Sequence, residues 1–158
     1  MTDMTAIQLR AARPSDIPQL VALMTEFYAE AGYSLPADPA ARAFAQLLGD
    51  PRLGQVWIVE CDSQPAGHVV LTLSFSMEYG GLRGFVDDLF VRQPYRGRGV
   101  ATAALAEVRR ACASLGVRAL HVEVGPANDP ALRVYRRSGF EDSGHLLLTL
   151  PLDAPVHV

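Results

Sequence analysis

Between Arg92 and Thr102 the chain reads RQPYRGRGVAT, with Arg92, Arg96 and Arg98 spaced around Gly97 and Gly99 just ahead of a run of strong helix formers. That spacing suits an anion. The first amides of a helix have no intrahelical partner and together carry about half a positive charge, so phosphate groups seat there readily. Gly97 and Gly99 remove the Cβ atoms that would keep a phosphate away from the amides of Val100, Ala101 and Thr102, and the guanidinium groups add donors around them. The plainer alternative is a tight strand-to-helix turn with solvated arginines.

The spacing also discriminates among phosphate ligands. A nucleoside triphosphate loop requires Gly-Lys followed by Ser or Thr, and GRGVAT has no lysine. A dinucleotide loop fits better, because the segment begins like GxGxxG and Glu123 stands in the following strand segment. However, Thr102 replaces the third glycine, and the residues from Arg92 to Arg96 separate the strand end at Val91 from Gly97, which makes the turn too long. His68, His121, His145 and His157 share no metal-ligand spacing, and no metal is expected. Cys61 and Cys112 form no CxxC pair and read as small buried hydrophobes of a reduced chain. A net charge of -3 gives no global attraction to nucleic acid. No basic-then-apolar leader opens the sequence and no apolar run approaches a membrane span, so the expected location is cytoplasmic, with no membrane partner.

The elements that must position this junction are readable from periodicity. IQLRAA alternates like a first strand. In the stretch that follows, Ile17, Leu20, Val21, Met24, Phe27 and Tyr28 fall on one helical face, with Ser15 as the expected N-cap and Gly32 as the stop. A shorter helix opens at Asp38 and Pro39 and closes at Gly49. GQVWIVECDSQPAGHVVLTLSFS predicts two antiparallel strands about the turn DSQPAG, and MEYGGLRG connects them to a strand FVDDLFV. After the arginine-glycine junction come a helix ending at Gly116, a strand RALHVEV, and a short helix begun at Asn128 or Asp129 and stopped at Gly139. HLLLTLPL is expected to close the chain as a last strand. With 158 residues, no repeat and no linker, the whole of 1–158 is expected to be a single α/β domain with a parallel, right-handed crossover around residues 85–124.

Those residues carry a resemblance. RGRGVA at Arg96 to Ala101 is similar to the acyl-CoA pyrophosphate loop of the GNAT superfamily of N-acetyltransferases. DDLFVRQPYRGRG resembles the strand and loop that precede it, and NDPALRVYRRSGF resembles the later segment in which Asn128, Tyr135, Gly139 and Phe140 take the recurring positions. The resemblance implies a mixed, V-splayed β-sheet flanked by helices, the acyl-CoA N-acyltransferase type. It implies acetyl-CoA as co-substrate, with its pantetheine arm beside Leu89, Phe90 and Val91, its pyrophosphate on amides from Arg96 through Gly97, Arg98, Gly99, Val100 and Ala101 to Thr102, and Asn128 as a further cofactor contact.

Transfer to an amine needs an acid for the departing thiolate and a base for the ammonium. Tyr135 matches the position of the superfamily's general acid, and a phenol with a reference pKa near 10 suits a sulfur whose conjugate acid lies near 8.5. Asp87, Asp88 and Glu123 are the candidate bases. VDDLFV resembles the EDL form of polyamine-type members, which favours Asp87. Alternation would put Asp87 and Asp88 on opposite faces unless a bulge intervenes. Tyr28 and Glu30 resemble the superfamily's acceptor lip, and Glu78 joins Asp87, Asp88 and Glu123 as an expected acidic lining. The expected acceptor is therefore a small cationic amine (polyamine, diamine or aminoglycoside-like) or a lysine side chain, with no nucleic-acid partner. The alternatives are a non-catalytic acyl-CoA-binding or interaction module on the same fold and, further off, a dinucleotide-binding protein. The nearly all-apolar HLLLTLPL suits a homodimer-facing strand.

Overall fold

The computed structural model describes residues 6–158 and is built around the two most apolar segments of the chain, which pair antiparallel as β2 (Gly54–Cys61) and β3 (Gln64–Ser76). β1 (Ile7–Ala11) flanks β2, and β4 (Gly81–Val91) flanks β3. β5 (Ala119–Val122) joins β4 in parallel, giving a mixed five-stranded sheet in the order β1-β2-β3-β4-β5. Both faces are covered, so β2 and β3 carry apolar side chains at nearly every position. On one face Leu20 and Met24 of α1 (Ile17–Glu30) and Phe44 of α2 (Ala37–Gly49) pack on Ile58 and Val70. On the other, Leu105, Val108 and Cys112 of α3 (Val100–Leu115) pack on Trp57, Val69 and Leu71. α4 (Asp129–Arg137) follows β5, with Asn128 accepting the Ala131 amide as its cap.

Several expectations are corrected. Ser15 does not cap α1. Asp16 stands at that position, preceded by a turn of 3-10 helix, and its carboxylate takes the Arg13 amide at 2.7 Å and the Arg10 guanidinium at 2.8 and 3.0 Å, partners a hydroxyl cannot match. The β2-β3 turn is only Asp62 and Ser63, at φ 49° and 64°, and β3 resumes at Gln64. Pro65 lies inside that strand beside a register slip at Val59/Glu60, a place where a missing N–H is tolerated. β4 starts at Gly81 rather than Phe85, because Gly81 to Gly84 pair with Ser76 to Leu73.

The largest correction concerns the last strand. HLLLTLPL forms no strand, and β5 is an open sheet edge. The opening residues read above for a leader lie in part outside the described residues. Among the described residues no helix is long and apolar enough to cross a membrane.

Candidate active site

β4 and β5 stay together only from Arg83/Ala119 to Val86/Val122. β5 then ends, while β4 runs on through Asp87, Asp88, Leu89, Phe90 and Val91 with β3 on one side and, among the described residues, no strand on the other. This is the V-shaped opening of the sheet. A cleft of about 610 Å³ fills it, floored by Leu89, Phe90 and Val91 and walled by the start of α3, the end of α1 and the Asn128 to Arg137 stretch.

One end of the cleft is an anion seat. Gly97 and Gly99 hold left-handed φ of 75° and 78°, and a Cβ built on either meets no protein atom within 4 Å, so both face open space. Gly99 occupies the cap position of α3 without a capping side chain, and among the described residues no acceptor takes the amides of Gly97, Arg98 or Gly99. The loop is thus held in a conformation only glycine adopts cheaply while its donors remain free for a ligand. A pyrophosphate fits these donors.

The arginines divide their labour. Arg96 donates to the Val91 carbonyl at 2.8 Å and pairs with Glu30 at 2.6 Å, lying over the Phe90 ring at 5.8 Å. Arg92 pairs with Glu26 at 3.0 Å. These two tie the loop to the last turns of α1, and Glu30, expected at the acceptor lip, lines the cleft as the partner of Arg96. Arg98 is exposed and does not line the cleft, whereas Arg137 does. Arg137 was not singled out from sequence, although Pro130, Val134 and Arg137 share one helical face.

Asp87 and Asp88 stand on β4 just before the Leu89 to Val91 floor. The register slips between Val70 and Leu71, so that Val70 faces Asp88 and Leu71 faces Val86, leaving Asp87 as the extra residue of a β-bulge. Asp88 is buried and Asp87 exposed, yet both act on Tyr28, whose phenol is pushed up to about 12 by burial first and then by Asp88 and Asp87. Asp87 itself is held above the usual carboxylate range, first by desolvation and then by repulsion from Asp88 and Glu123. Glu123 is exposed just past β5. Glu78 is not brought here. It sits at the β3-β4 tip, beyond Ser76, roughly 20 Å along the strand from the Val70/Asp88 pair.

Asp88 is buried, and behind it lies His68, fully buried among Phe27, Phe44 and Phe90 with Nε2 3.6 Å from Asp88 Oδ2 and no hydrogen bond to either ring nitrogen. Strand pairing, which the sequence does not show, puts His68 beside Asp88. Tyr135 lies across the cleft from β4, half-buried, edge-on to Phe140 at 5.5 Å. Burial, and then Asp88, raise its phenol above the ordinary value. Asn128 lines the cleft too, with its Oδ1 committed to the α4 cap. Tyr28 and Tyr33 meet His157, whose ring lies 5.5 and 4.0 Å from theirs, so the chain's end completes an aromatic lip above the acids.

Cys61 and Cys112 are buried and unbonded, their thiols pushed up by desolvation, and neither is disposed as a nucleophile. Among the described residues no group of three His, Cys, Asp or Glu side chains gathers to hold a metal.

Comparison with known proteins places this geometry. A solved integron cassette protein from the mobile metagenome of Cole Harbour salt marsh is 53% identical, with a TM-score of 0.88 over 94% of this chain and 93% of that one. The L-methionine sulfoximine/L-methionine sulfone acetyltransferase of Pseudomonas aeruginosa (strain PAO1) is 25% identical over 141 residues, 87% of this chain and 82% of that one. The uncharacterized N-acetyltransferase YycN of Bacillus subtilis (strain 168) is 35% identical over 66 residues, and the match spans 42% of each chain. The family model described as Acetyltransferase (GNAT) matches residues 18–140, which include the splayed strands, the glycine loop and Tyr135. With the anion seat at the start of α3 and the cleft between β4 and α4, the chain belongs to the acetyltransferase (GNAT) family, the acetyl-CoA-dependent N-acetyltransferases.

Proposed function

We propose that the protein moves the acetyl group of acetyl-CoA directly to a primary amine on a small cationic molecule (a polyamine, a diamine or an aminoglycoside-like amine) or on a lysine side chain. One observation carries this reading: the glycine loop opens into a cleft floored by Leu89 to Val91, and the two carboxylates that precede that floor on β4, Asp87 and Asp88, both act on Tyr28. Acetyl-CoA, when bound, supplies the acetyl group as an activated thioester. The chain does the rest. Gly97 to Thr102 would hold the pyrophosphate by backbone amides, and Leu89 to Val91 offer the unpaired side of a strand to the pantetheine arm and the carbonyl. Asp87 accepts the ammonium proton, directly or through water. Tyr135 donates toward the departing sulfur, and the burial that raises its phenol also raises the proton affinity of a thiolate in the same cleft, so donor and acceptor stay matched.

The acceptor follows from charge. A cation in a partly desolvated cleft beside two carboxylates gains attraction that a neutral or acidic amine lacks, and Tyr28 and Tyr33 add aromatic faces. A second reading comes from the 25% identical relative, whose named acceptors are amino-acid analogues. The test is kcat/KM across spermidine, a diamine, an aminoglycoside, a lysine peptide, L-methionine sulfone, glutamate and an arylamine, at low and high salt. Spermidine or another cation should lead, with the lead shrinking at high salt and in Asp88→Asn. Preference for L-methionine sulfone would select the second reading. Binding of acetyl-CoA without turnover on any amine would point to the non-catalytic module.

The raised Asp87 carboxyl makes a separate prediction. Its folded pKa lies above its unfolded one, so between the two the folded chain binds more protons, and stability falls as pH rises through that window and then levels off. Asp87→Asn should therefore melt higher than wild type at neutral pH, with the gap closing in acid. In kinetics the same substitution should shift the rising limb of the pH-rate profile upward, because deprotonation of the amine then depends on its own pKa. An unmoved limb would transfer the role to Glu123 or solvent.

A further inference from the structure

On the sheet face that α1 and α2 cover, His68 and Val70 of β3 stand opposite Phe90 and Asp88 of β4. His68 has no exposure, and its ring is boxed by Phe27 of α1, Phe44 of α2 and Phe90 of β4, with ring centroids 6.3, 6.4 and 6.1 Å away. Neither ring nitrogen has a hydrogen-bond partner. A leucine would fill such a box without stranding polar atoms, and stranded buried nitrogens lower stability rather than raise it. The packing by itself therefore supplies no reason for an imidazole at this position.

Asp88 supplies one. His68 pairs with Phe90 and Asp88 with Val70, so the two side chains are diagonal neighbours on one face and can reach each other. Nε2 stops 3.6 Å from Asp88 Oδ2, inside ion-pair distance and just past a hydrogen bond. Among the described residues His68 is the only basic side chain within 4 Å of that carboxylate. Next to burial itself, the charge of Asp88 is what raises the phenols of Tyr135 and Tyr28 and the carboxyl of Asp87. One buried carboxylate thus acts on the proposed acid, the proposed base and the acceptor lip.

We infer that His68 is a positioning residue for acetyl transfer: it donates Nε2–H to Asp88 Oδ2 and holds that carboxylate ionised and in one orientation while an ammonium docks beside it. The inference rests on the reading of Asp87 and Asp88 as the acidic side of the acceptor site. A carboxylate withdrawn from water needs a donor to keep its charge, and the contact has to close by only about half an ångström, the tightening that accompanies substrate binding. Apart from Asp88, the ring meets apolar neighbours: phenylalanines from α1, α2 and β4, with Ile58 opposite it on β2. The titratable groups within the field of Asp88 are Asp87, Tyr28 of α1 and Tyr135 of α4.

Two variants separate this role from packing. His68→Leu is apolar and of similar volume, whereas the amide nitrogen of His68→Gln reaches about as far as Nε2 and restores the donor. Both should bind CoA as wild type does, and His68→Leu should melt no lower. Its kcat/KM for spermidine should fall about 10- to 100-fold, through KM for the amine and with KM for acetyl-CoA unchanged, and the preference for spermidine over L-methionine sulfone should fall with it. His68→Gln should recover most of the loss. In the Asp88→Asn background, His68→Leu should have no further effect. Ring 15N spectra of wild type, which need no turnover, should place a proton on Nε2. A loss equal for spermidine and L-methionine sulfone that tracks a lower melting temperature would overturn the inference, as would a proton on Nδ1 alone or losses that add in the double variant. Should L-methionine sulfone lead in wild type, the cationic reading of the acceptor fails, while the ring spectra and the double variant, assayed on that acceptor, still decide the role of His68.

Discussion

Tyr135→Phe is expected to keep acetyl-CoA affinity and lose turnover by on the order of 10²-fold or more, the range in which a positioned acid contributes. The substitution removes one oxygen and leaves the ring. Edge-on packing against Phe140 survives, so the α4 wall of the cleft should hold its shape. What disappears is the proton that, in the proposed mechanism, this phenol would give the departing sulfur. Because its pKa is raised by burial and by Asp88, the phenol stays protonated through the working range, and the wild-type profile should show no loss from its ionisation below about pH 10. The measurement is single-turnover and steady-state kinetics with a fixed amine. A fall in kcat with KM for acetyl-CoA unchanged is the signature of an interaction made as the C–S bond breaks. Turnover equal to wild type would reduce Tyr135 to packing, and a parallel loss of CoA affinity would mean that the hydroxyl holds the ligand rather than the leaving group.

Gly99→Val is expected to weaken CoA binding by on the order of 10²-fold, about 2.7 kcal/mol, which is what one or two lost bonds to a charged phosphate would cost. Gly99 sits at φ 78° with open space where a Cβ would point, the space in which the proposed pyrophosphate would sit. Valine is strained in this conformation by about 1–2 kcal/mol whether or not a ligand is present. The control is Gly116→Val, at φ 75° and equally uncrowded, but at the other end of α3. Both variants should lower the melting temperature. At 100 times the wild-type dissociation constant, CoA should raise the melting temperature of wild type and Gly116→Val by roughly 5–10 °C and leave Gly99→Val nearly unmoved. Equal shifts in both variants would remove the anion seat from the start of α3. A larger shift with NADH than with CoA would revive the dinucleotide reading.

Much of the scaffold was legible because its signals are local. The αL glycines that bracket α3 sit where the sequence puts a start and a stop, and the apolar faces of α1 and α3 follow from helical spacing alone. The departures come from specific partners that propensity alone does not name. Ser15 loses the cap of α1 to Asp16 because Arg10 is nearby in space, and Pro65 remains in a strand because the opposing strand slips there. In the site, the anion seat was readable from glycine spacing, whereas the assignment of Arg92 and Arg96 to Glu26 and Glu30, rather than to a phosphate, depends on where α1 ends.

By itself the sequence determined the elements, the crossover that carries the glycine loop, and the kind of chemistry the loop supports, since helix ends, apolar periodicity and φ preferences act within a few residues. Only the tertiary structure decided which carboxylates lie near one another. The register slip makes Asp87 the extra residue of a bulge beside Asp88, pairing across strands sets His68 behind Asp88, and the length of the β3-β4 hairpin carries Glu78 away. It also decided the fate of the last apolar segment. Alternating leucines specify a strand, but a strand exists only where an edge is within reach, and the anchors at Phe140 and Val156 hold this one off its own.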